Sequence, residues 1–308
     1  MTRAYVDQIR IRGFGCITDA TIALTPIHAL IGPSDSGKTT VLRALRALSK
    51  YAQQRNPQVT MSEFSMYAHQ TSILEARVRT SDGNARGAIV QRDRGGFSEH
   101  HVDDEARDAL GGHHVLHFEP NALRESSALI PEGAPMRFVD ERGLGLPAVY
   151  DAILSRDVAT YMILSTRLTK LFPSVKNVSL VNPSQQAKAL GVMLFDGIFV
   201  SGAAVSDGLL RWLAFAATPY LAPAALVLVE EPENGLHPTA IRDVMSVLRE
   251  VSARSQVVIA THSPTVVDDL EANEVTVLGR SDPEGTKATP FDRAKGEARP
   301  SVLSSKKS

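Results

Sequence analysis

The octapeptide Gly32-Pro33-Ser34-Asp35-Ser36-Gly37-Lys38-Thr39 fits the pattern G-x-x-x-x-G-K-[ST], and its flanks restrict the fold more than any other stretch. His28 to Ile31 reads as a short buried strand. Thr40 to Leu48 carries Val41, Leu42, Leu45 and Leu48 at helical spacing. Strand, glycine loop and helix in this order aim backbone N–H groups and a helix N-terminus at one point, which suits phosphate oxygens. A chance glycine turn would lack the strand before it and the helix after it. The expectation is an α/β chain in which Lys38 reaches the β- and γ-phosphates and Thr39 ligates Mg²⁺.

A second run, Leu226 to Pro238 (LVLVEEPENGLHP), places two carboxylates, Glu230 and Glu231, at the tip of an apolar strand. Such a tip needs a partner, and in a nucleotide-hydrolysing site the partner is a magnesium ion and an attacking water. Val205-Ser206-Asp207-Gly208 precedes an apolar helix, Leu209 to Ala217, with Ser206 placed as N-cap. Alone it is a simple cap. In a chain that already has a phosphate loop, a second anion site is best explained if it meets the γ-phosphate of a nucleotide held by another subunit. Val257 to Pro264 (VVIATHSP) is a buried strand ending in His262. Ligands of parallel sheets lie beyond the carboxyl ends of strands, so the ends at Ile31, Val229 and Ala260 are expected to meet at one edge. There His262 would bond the γ-phosphate or the attacking water; the plain alternative is a loop histidine.

The rest of the composition sets bounds. The 308 residues suffice for one large α/β domain or two smaller ones. A net charge of −1 gives no global basic signal, so any nucleic-acid contact would need a local patch. The single cysteine, Cys16, excludes an intrachain disulfide and fits a reducing compartment, hence a cytoplasmic location. Met1 to Arg12 is charged and alternating, unlike a signal peptide. The most apolar stretch, Trp212 to Val229, contains Pro219 and Pro223 and reads as helix end, turn and strand rather than a membrane span.

Along the chain, alternating runs around Gly13-Phe14-Gly15 and from Ser72 to Val90 predict antiparallel strands, the second pair broken at Ser81 to Asn84. Val115 to Phe118 reads as a strand closed by Glu119-Pro120. Ala148 to Leu171 has helical periodicity, and Val178 to Val181 and Gly191 to Phe195 return to strand character. The tail from Ser281 reads as flexible. This organisation predicts an ATPase domain over 1–280 (β-lobe and phosphate-loop core 1–120, helical and signature region 121–217, acidic strand and switch region 218–280), with a flexible tail over 281–308.

The four motifs, with the segment IRIRGFGCITDATIALTPIHALIGPSDSGKTT, resemble the ATPase heads of the ABC superfamily, in its SMC/RecF/OLD-like (AAA15/AAA21-type) branch. They cover about a third of the chain in the family's order, and FEPNALRESSALIPEG resembles the branch's region after the first lobe. The resemblance implies an ABC-type P-loop NTPase head with a mixed sheet, an antiparallel β-lobe and a helical lobe, using ATP and Mg²⁺. It implies that Gly32, Pro33, Ser34, Asp35, Ser36, Gly37, Lys38, Thr39 and Thr40 bind the nucleotide. Ser206, Asp207 and Gly208 would contact ATP across a head-to-head dimer. Glu230 stands at the Mg²⁺ position beside Thr39, and Glu231, His262 and Lys38 are the catalytic set. Glu233 to His237 would form the D-loop region, and Gln91 is a candidate glutamine-loop residue, with a surface glutamine as the alternative.

Three positions depart from the family pattern. Asp35 adds a negative charge near the γ-phosphate, Arg211 stands where transporters often have glutamine, and Glu230 replaces a shorter aspartate, re-spacing metal contact by about 1.5 Å. None forbids hydrolysis, and slow turnover fits them. Between Ser49 and Val205 no sustained heptads signal a coiled-coil arm, and no acidic cluster after His262 signals a Toprim domain. A nuclease or toxin activity would therefore belong to a separate effector. The partners implied are a second copy of the chain, DNA or such an effector, with no membrane, in DNA repair or anti-phage defence. The ATPase subunit of a membrane transporter is the alternative, and a regulatory module with negligible turnover a third. His100, His101, His113, His114 and His117 could suggest a metal site, but no cysteine lies near and a histidine-rich loop edge explains them. Arg3, Arg10, Arg12, Arg92 and Arg94 could form a basic surface for DNA or be ion-paired on strands. Phe14 could stack on adenine or sit in the core.

Overall fold

The computed structural model describes residues 4–53, 68–80, 85–93, 96–281 and 285–291. The chain forms two compact units, each built from separated stretches: Met1–Val115, Pro223–Glu231 and Ser252–Ser308 in the first, Leu116–Ala222 and Pro232–Val251 in the second.

The first unit opens with β1 (Tyr5–Phe14), β2 (Ile17–Ala23) and β3 (Ile27–Ile31), followed by the helix Lys38–Gln53. β4 (Ala68–Arg79), β5 (Ala85–Asp93) and β6 (Gly96–Val102), the helix Asp104–Leu110 and β7 (His113–Leu116) follow. β2-β1-β4-β5-β6 form an antiparallel sheet, the expected β-lobe. Period-two alternation explains its faces from Ile9 onward: Ile9 and Ile11 are buried, while Arg10 and Arg12 point outward, and a register shift between Val6 and Gln8 lets Val6 be buried out of that phase. The helix Lys38–Gln53 buries Val41, Leu42, Leu45 and Leu48, as their spacing predicts. Phe14 joins this core at 1% exposure, which settles it as a packing residue rather than a base-stacking one.

The second unit contains the short helix Pro120–Arg124, the two-residue β8 (Ser127–Ala128), and the helices Leu146–Arg156 and Val158–Leu171. Continuous helical periodicity over Ala148 to Leu171 meets a break at Asp157. Its carboxylate accepts from the N–H groups of Ala159 (3.0 Å) and Thr160 (3.1 Å) and starts a new helix. β9 (Val175–Ser184), β10 (Ala187–Leu194) and β11 (Phe199–Ser201) form a small antiparallel sheet with β8. The helix Asp207–Ala217 and the helix Pro238–Ser252 complete the helical lobe. Trp212 is fully buried, and its indole Nε1 donates to Asp243 Oδ2 at 2.7 Å, while Arg167 Nε donates to the same carboxylate at 2.8 Å.

The chain returns to the first unit with β12 (Leu226–Glu230), β13 (Gln256–Thr261), β14 (Val275–Ser281) and β15 (Gly285–Pro290). The sheet order is β15-β14-β3-β13-β12-β7. β12, β13, β3 and β14 run parallel and β15 antiparallel, giving the expected mixed sheet. Buried on both faces, β3, β12 and β13 read as near-continuous apolar runs. Gln256 ties sheet to β-lobe: its Oε1 accepts from Val6 N–H (3.0 Å) and its Nε2 donates to Val6 O (2.7 Å) and Thr25 O (3.1 Å). Two sequence expectations are corrected. The strand read at Val115 to Phe118 lies at His113–Leu116, because His117 N–H instead bonds Glu141 O and Pro120 starts a helix. Residues Gly285–Pro290, read as flexible tail, are a paired strand; residues 292–308 of that tail lie outside the described residues.

Candidate functional site

Parallel register brings the expected strand ends together. Thr261 lies opposite Ile31, and Ala260 opposite Glu230, so the residues after β3, β12 and β13 emerge side by side. After Ile31 the chain turns through a loop in which Asp35 (φ 63°) and Gly37 (φ 101°) adopt left-handed backbone. Such inversions turn successive N–H groups inward, as anion-binding loops require. Gly32 must lack a Cβ because one would collide with the carbonyl oxygen of Leu278 on β14.

Lys38 is buried, and its ammonium donates to the carbonyls of Gly32 (2.8 Å) and Pro33 (2.9 Å), closing the loop on itself. Ser36 Oγ is buried with no hydrogen-bond partner among the described residues. A buried hydroxyl without a partner, in a loop whose backbone inverts at Asp35 and Gly37, fits a loop built to hold an anion. Thr40 Oγ1 lies 3.3 Å from Cys16 Sγ.

A cavity of about 450 Å³ opens above the loop, within the range of small-molecule sites. Ser34, Asp35 and Gly37 to Thr40 line it, with Glu231 and His262 from the strand ends and Cys16, Arg43 and Arg280 from elsewhere in the first unit. Glu231 stands just past the end of β12 at φ 46°, a left-handed conformation rare for a side-chain-bearing residue. Its N–H donates to Ala260 O at 2.8 Å, and its Oε1 lies 2.5 Å from His262 Nε2. The kink breaks strand alternation and brings Glu231 to His262. Glu230, the last residue of β12, is half-buried and is not among the lining residues.

Ser206, Asp207 and Gly208 lie in the second unit. Ser206 is the N-cap, its Oγ accepting from Leu209 N–H at 3.4 Å. Asp207 Oδ1 accepts from Arg124 Nη2 at 2.5 Å, and Arg124 also donates to Val205 O at 2.9 Å. Arg211 donates to Phe118 O (3.2 Å) and Asn234 O (3.1 Å), which fastens the Glu233 to His237 turn to the same helix.

Other candidates fall away from the cavity. Gln91 lies inside β5, opposite Ile73 and Glu99, and so is no loop residue. Arg10 pairs with Asp19 (2.9 Å) and Arg12 with Glu75 (3.1 Å), while Arg3 and Arg94 and the side chain of Arg92 lie outside what is described. His101 meets Asp103 and His113 meets Ser49; among the described residues no group of three histidine, cysteine or acidic side chains is placed to hold a metal. Arg43 and Arg280 line the cavity from outside the sequence motifs. Arg43 had a signal, being one helical turn beyond Thr39; Arg280 had none, because only the sheet order brings it there.

Comparison with known proteins agrees with this geometry. A family described as "AAA ATPase domain" matches residues 5–89, and one described as "AAA domain, putative AbiEii toxin, Type IV TA system" matches residues 77–268, more than half of the chain. No curated protein sequence matches. Among solved structures, an Smc head bound to the C-winged-helix domain of ScpA is similar with a TM-score of 0.64 at 15% identity, over 95% of this chain and 99% of the other. The Pyrococcus furiosus Smc head with an extended coiled coil, bound to the C-terminal domain of ScpA, has a TM-score of 0.64 at 12% identity, over 95% and 98%. The SMC head domain from Thermotoga maritima has a TM-score of 0.53 at 12% identity, over 94% and 100%. At these identities the likeness is one of fold, an SMC-like head, and no described helix here is long enough for a coiled-coil arm. Phosphate loop, acidic strand tip and family match lead to one conclusion: this chain carries an AAA-type domain and belongs to the family described as "AAA domain, putative AbiEii toxin, Type IV TA system".

Proposed function

We propose that this chain binds ATP with Mg²⁺ in the cavity above Gly32 to Thr40 and hydrolyses it. The observation that carries this reading is the Glu231–His262 contact of 2.5 Å on the wall of the phosphate-loop cavity. Glu231 acts as the base that orients and deprotonates the attacking water, and His262 holds that carboxylate and bonds the γ-phosphate. Lys38 neutralises the β- and γ-phosphates. Thr39 would hold the metal from the cavity wall, with Glu230 reaching it from the end of β12, and the bound ion would spread the charge of the phosphate oxygens. The orphaned Ser36 hydroxyl and the cavity position of Thr39 suit such a ligand; Glu230 needs the extra reach of its glutamate side chain.

In this reading two copies pair around ATP, and Ser206-Asp207-Gly208 of one meets the nucleotide of the other. Closure then switches contacts with DNA or with a separate nuclease or toxin effector, in repair or anti-phage defence. Two similar heads are bound to ScpA domains, which supports a protein partner as one output. Among the described residues no helix is long and apolar enough to cross a membrane.

The test is phosphate release by the full chain with ATP and Mg²⁺. Glu231→Gln should lower turnover about 10²–10⁴-fold, the usual worth of a general base, and should trap an ATP-bound dimer in sedimentation. Unchanged turnover would sink the role of Glu231, and a monomer at saturating ATP would sink the pairing.

A further inference from the structure

Counting only the side chains of the recognised motifs, the cavity lining carries more carboxylates than cations. Lys38 is its one cation, against the carboxylates of Asp35 and Glu231. Two arginines outside the recognised motifs reverse the balance to three cations against two carboxylates. Arg43 stands one helical turn beyond Thr39, on the exposed side of the helix Lys38–Gln53.

Arg280 arrives by a different route. β14 pairs with β3 up to Val277 opposite Ile31, then runs on past the start of the phosphate loop. There the Leu278 carbonyl abuts Gly32, and β15 returns antiparallel along β14. A Cβ on Gly37 would lie 3.0 Å from Thr286 Oγ1, and one on Gly285 would lie 2.7 Å from Thr18 Oγ1. The β14–β15 hairpin therefore packs against the loop at both ends of the octapeptide, and it places Arg280 on the cavity wall.

We propose that Arg280, together with Arg43, binds the nucleoside triphosphate and supplies the positive charge that lets this cavity accept a polyanion. The inference rests on the reading of the cavity as the ATP site and adds two binding residues and a hairpin to it. Cations fixed on a helix and a paired strand act on the polyphosphate without reorganising, so their effect should grow with phosphate charge and shrink with salt.

The experiment measures displacement of a fluorescent ATP analogue from the full chain by ATP and by AMP, at low and high salt. Arg280→Ala and Arg43→Ala should each weaken ATP by about tenfold and AMP by about threefold or less, with the ATP loss shrinking at high salt and Arg280→Lys recovering most of it. In hydrolysis, KM should rise while kcat holds. Equal losses for ATP and AMP, or no loss, would overturn the proposal. If Arg280→Ala fails to fold, the exposed Arg43→Ala and the conservative Arg280→Lys carry the same comparison. Lys38→Ala separates the two readings. If it leaves ATP binding intact, the cavity is not the ATP site. If it abolishes binding while both arginine variants bind normally, the arginine proposal alone fails.

Discussion

The backbone of Gly208 lies so close to Gly235 that a Cβ on Gly208 would sit 2.5 Å from the Gly235 carbonyl oxygen. The opening turn of the Asp207–Ala217 helix and the turn before the Pro238–Ser252 helix thus meet backbone to backbone. The obstacle is a carbonyl rather than a flexible side-chain tip, so one element must move to admit a methyl group. Gly208→Ala should destabilise the fold by about 1–3 kcal/mol, the usual cost of overpacking, despite alanine's better helix propensity. Urea unfolding followed by fluorescence of Trp212, the chain's single tryptophan, checks this.

Glu231 holds a left-handed backbone that glycine adopts freely and alanine does not. Glu231→Gly and Glu231→Ala both lose the carboxylate and the His262 contact, so their difference isolates the backbone. Glu231→Gly should be the more stable by about 0.5–1 kcal/mol, although glycine loses more entropy on folding. Both should lose hydrolysis. Paired denaturation curves decide it, and an alanine variant of equal or greater stability would remove the strain from the account.

His28 should make the fold acid-sensitive. Burial pulls its pKa from 6.5 down to about 4, with the Glu274 charge opposing it. The neutral ring bonds Thr25 Oγ1 (3.1 Å) and Thr276 Oγ1 (2.9 Å). Above pH 6.5 both the folded and unfolded forms are neutral. Between pH 6.5 and about 4 only the unfolded chain takes the proton, so stability falls as pH falls and the loss levels off below about 4. From pH 7 to pH 5 the loss should be about 2 kcal/mol. His28→Asn, which cannot titrate, should flatten this slope in urea denaturation across that range.

Asp243 serves two donors at once, the buried Trp212 indole and the Arg167 guanidinium. Asp243→Ala leaves the indole N–H without its acceptor and should cost about 1–3 kcal/mol; Asp243→Asn keeps an oxygen for it and should cost less. Trp212 emission in the folded state should change with the alanine variant, and thermal unfolding gives the ranking.

Much of this site was legible in one dimension because its motifs are local. The octapeptide, the strand before it and the helix after it are consecutive, so Gly32 to Thr40 could be placed from spacing alone. Ser206 as N-cap follows from a hydroxyl three residues before a free helix N–H. The helix break at Asp157 is hidden in the sequence because apolar periodicity continues through it, while the local side-chain bonds that end one helix and start the next carry no period. Gln91 reads as a residue after a strand because β5 runs longer than its apolar core.

By itself, the sequence determined which segments carry chemistry: a loop that can turn its N–H groups inward, a strand tip with two acids, a capped helix and a strand ending in histidine. Only the tertiary structure decided which of them meet. Parallel pairing of β12, β13 and β3 brings Glu231 to His262 across 31 positions of sequence, and a left-handed kink selects Glu231 rather than Glu230 for the cavity wall. The order β15-β14-β3 likewise places Arg280 on the cavity wall and pairs Gly285–Pro290, read as flexible tail, along the strand that carries it. Strand order depends on long-range burial and pairing, which no local pattern encodes, and so these contacts became visible only in the folded chain.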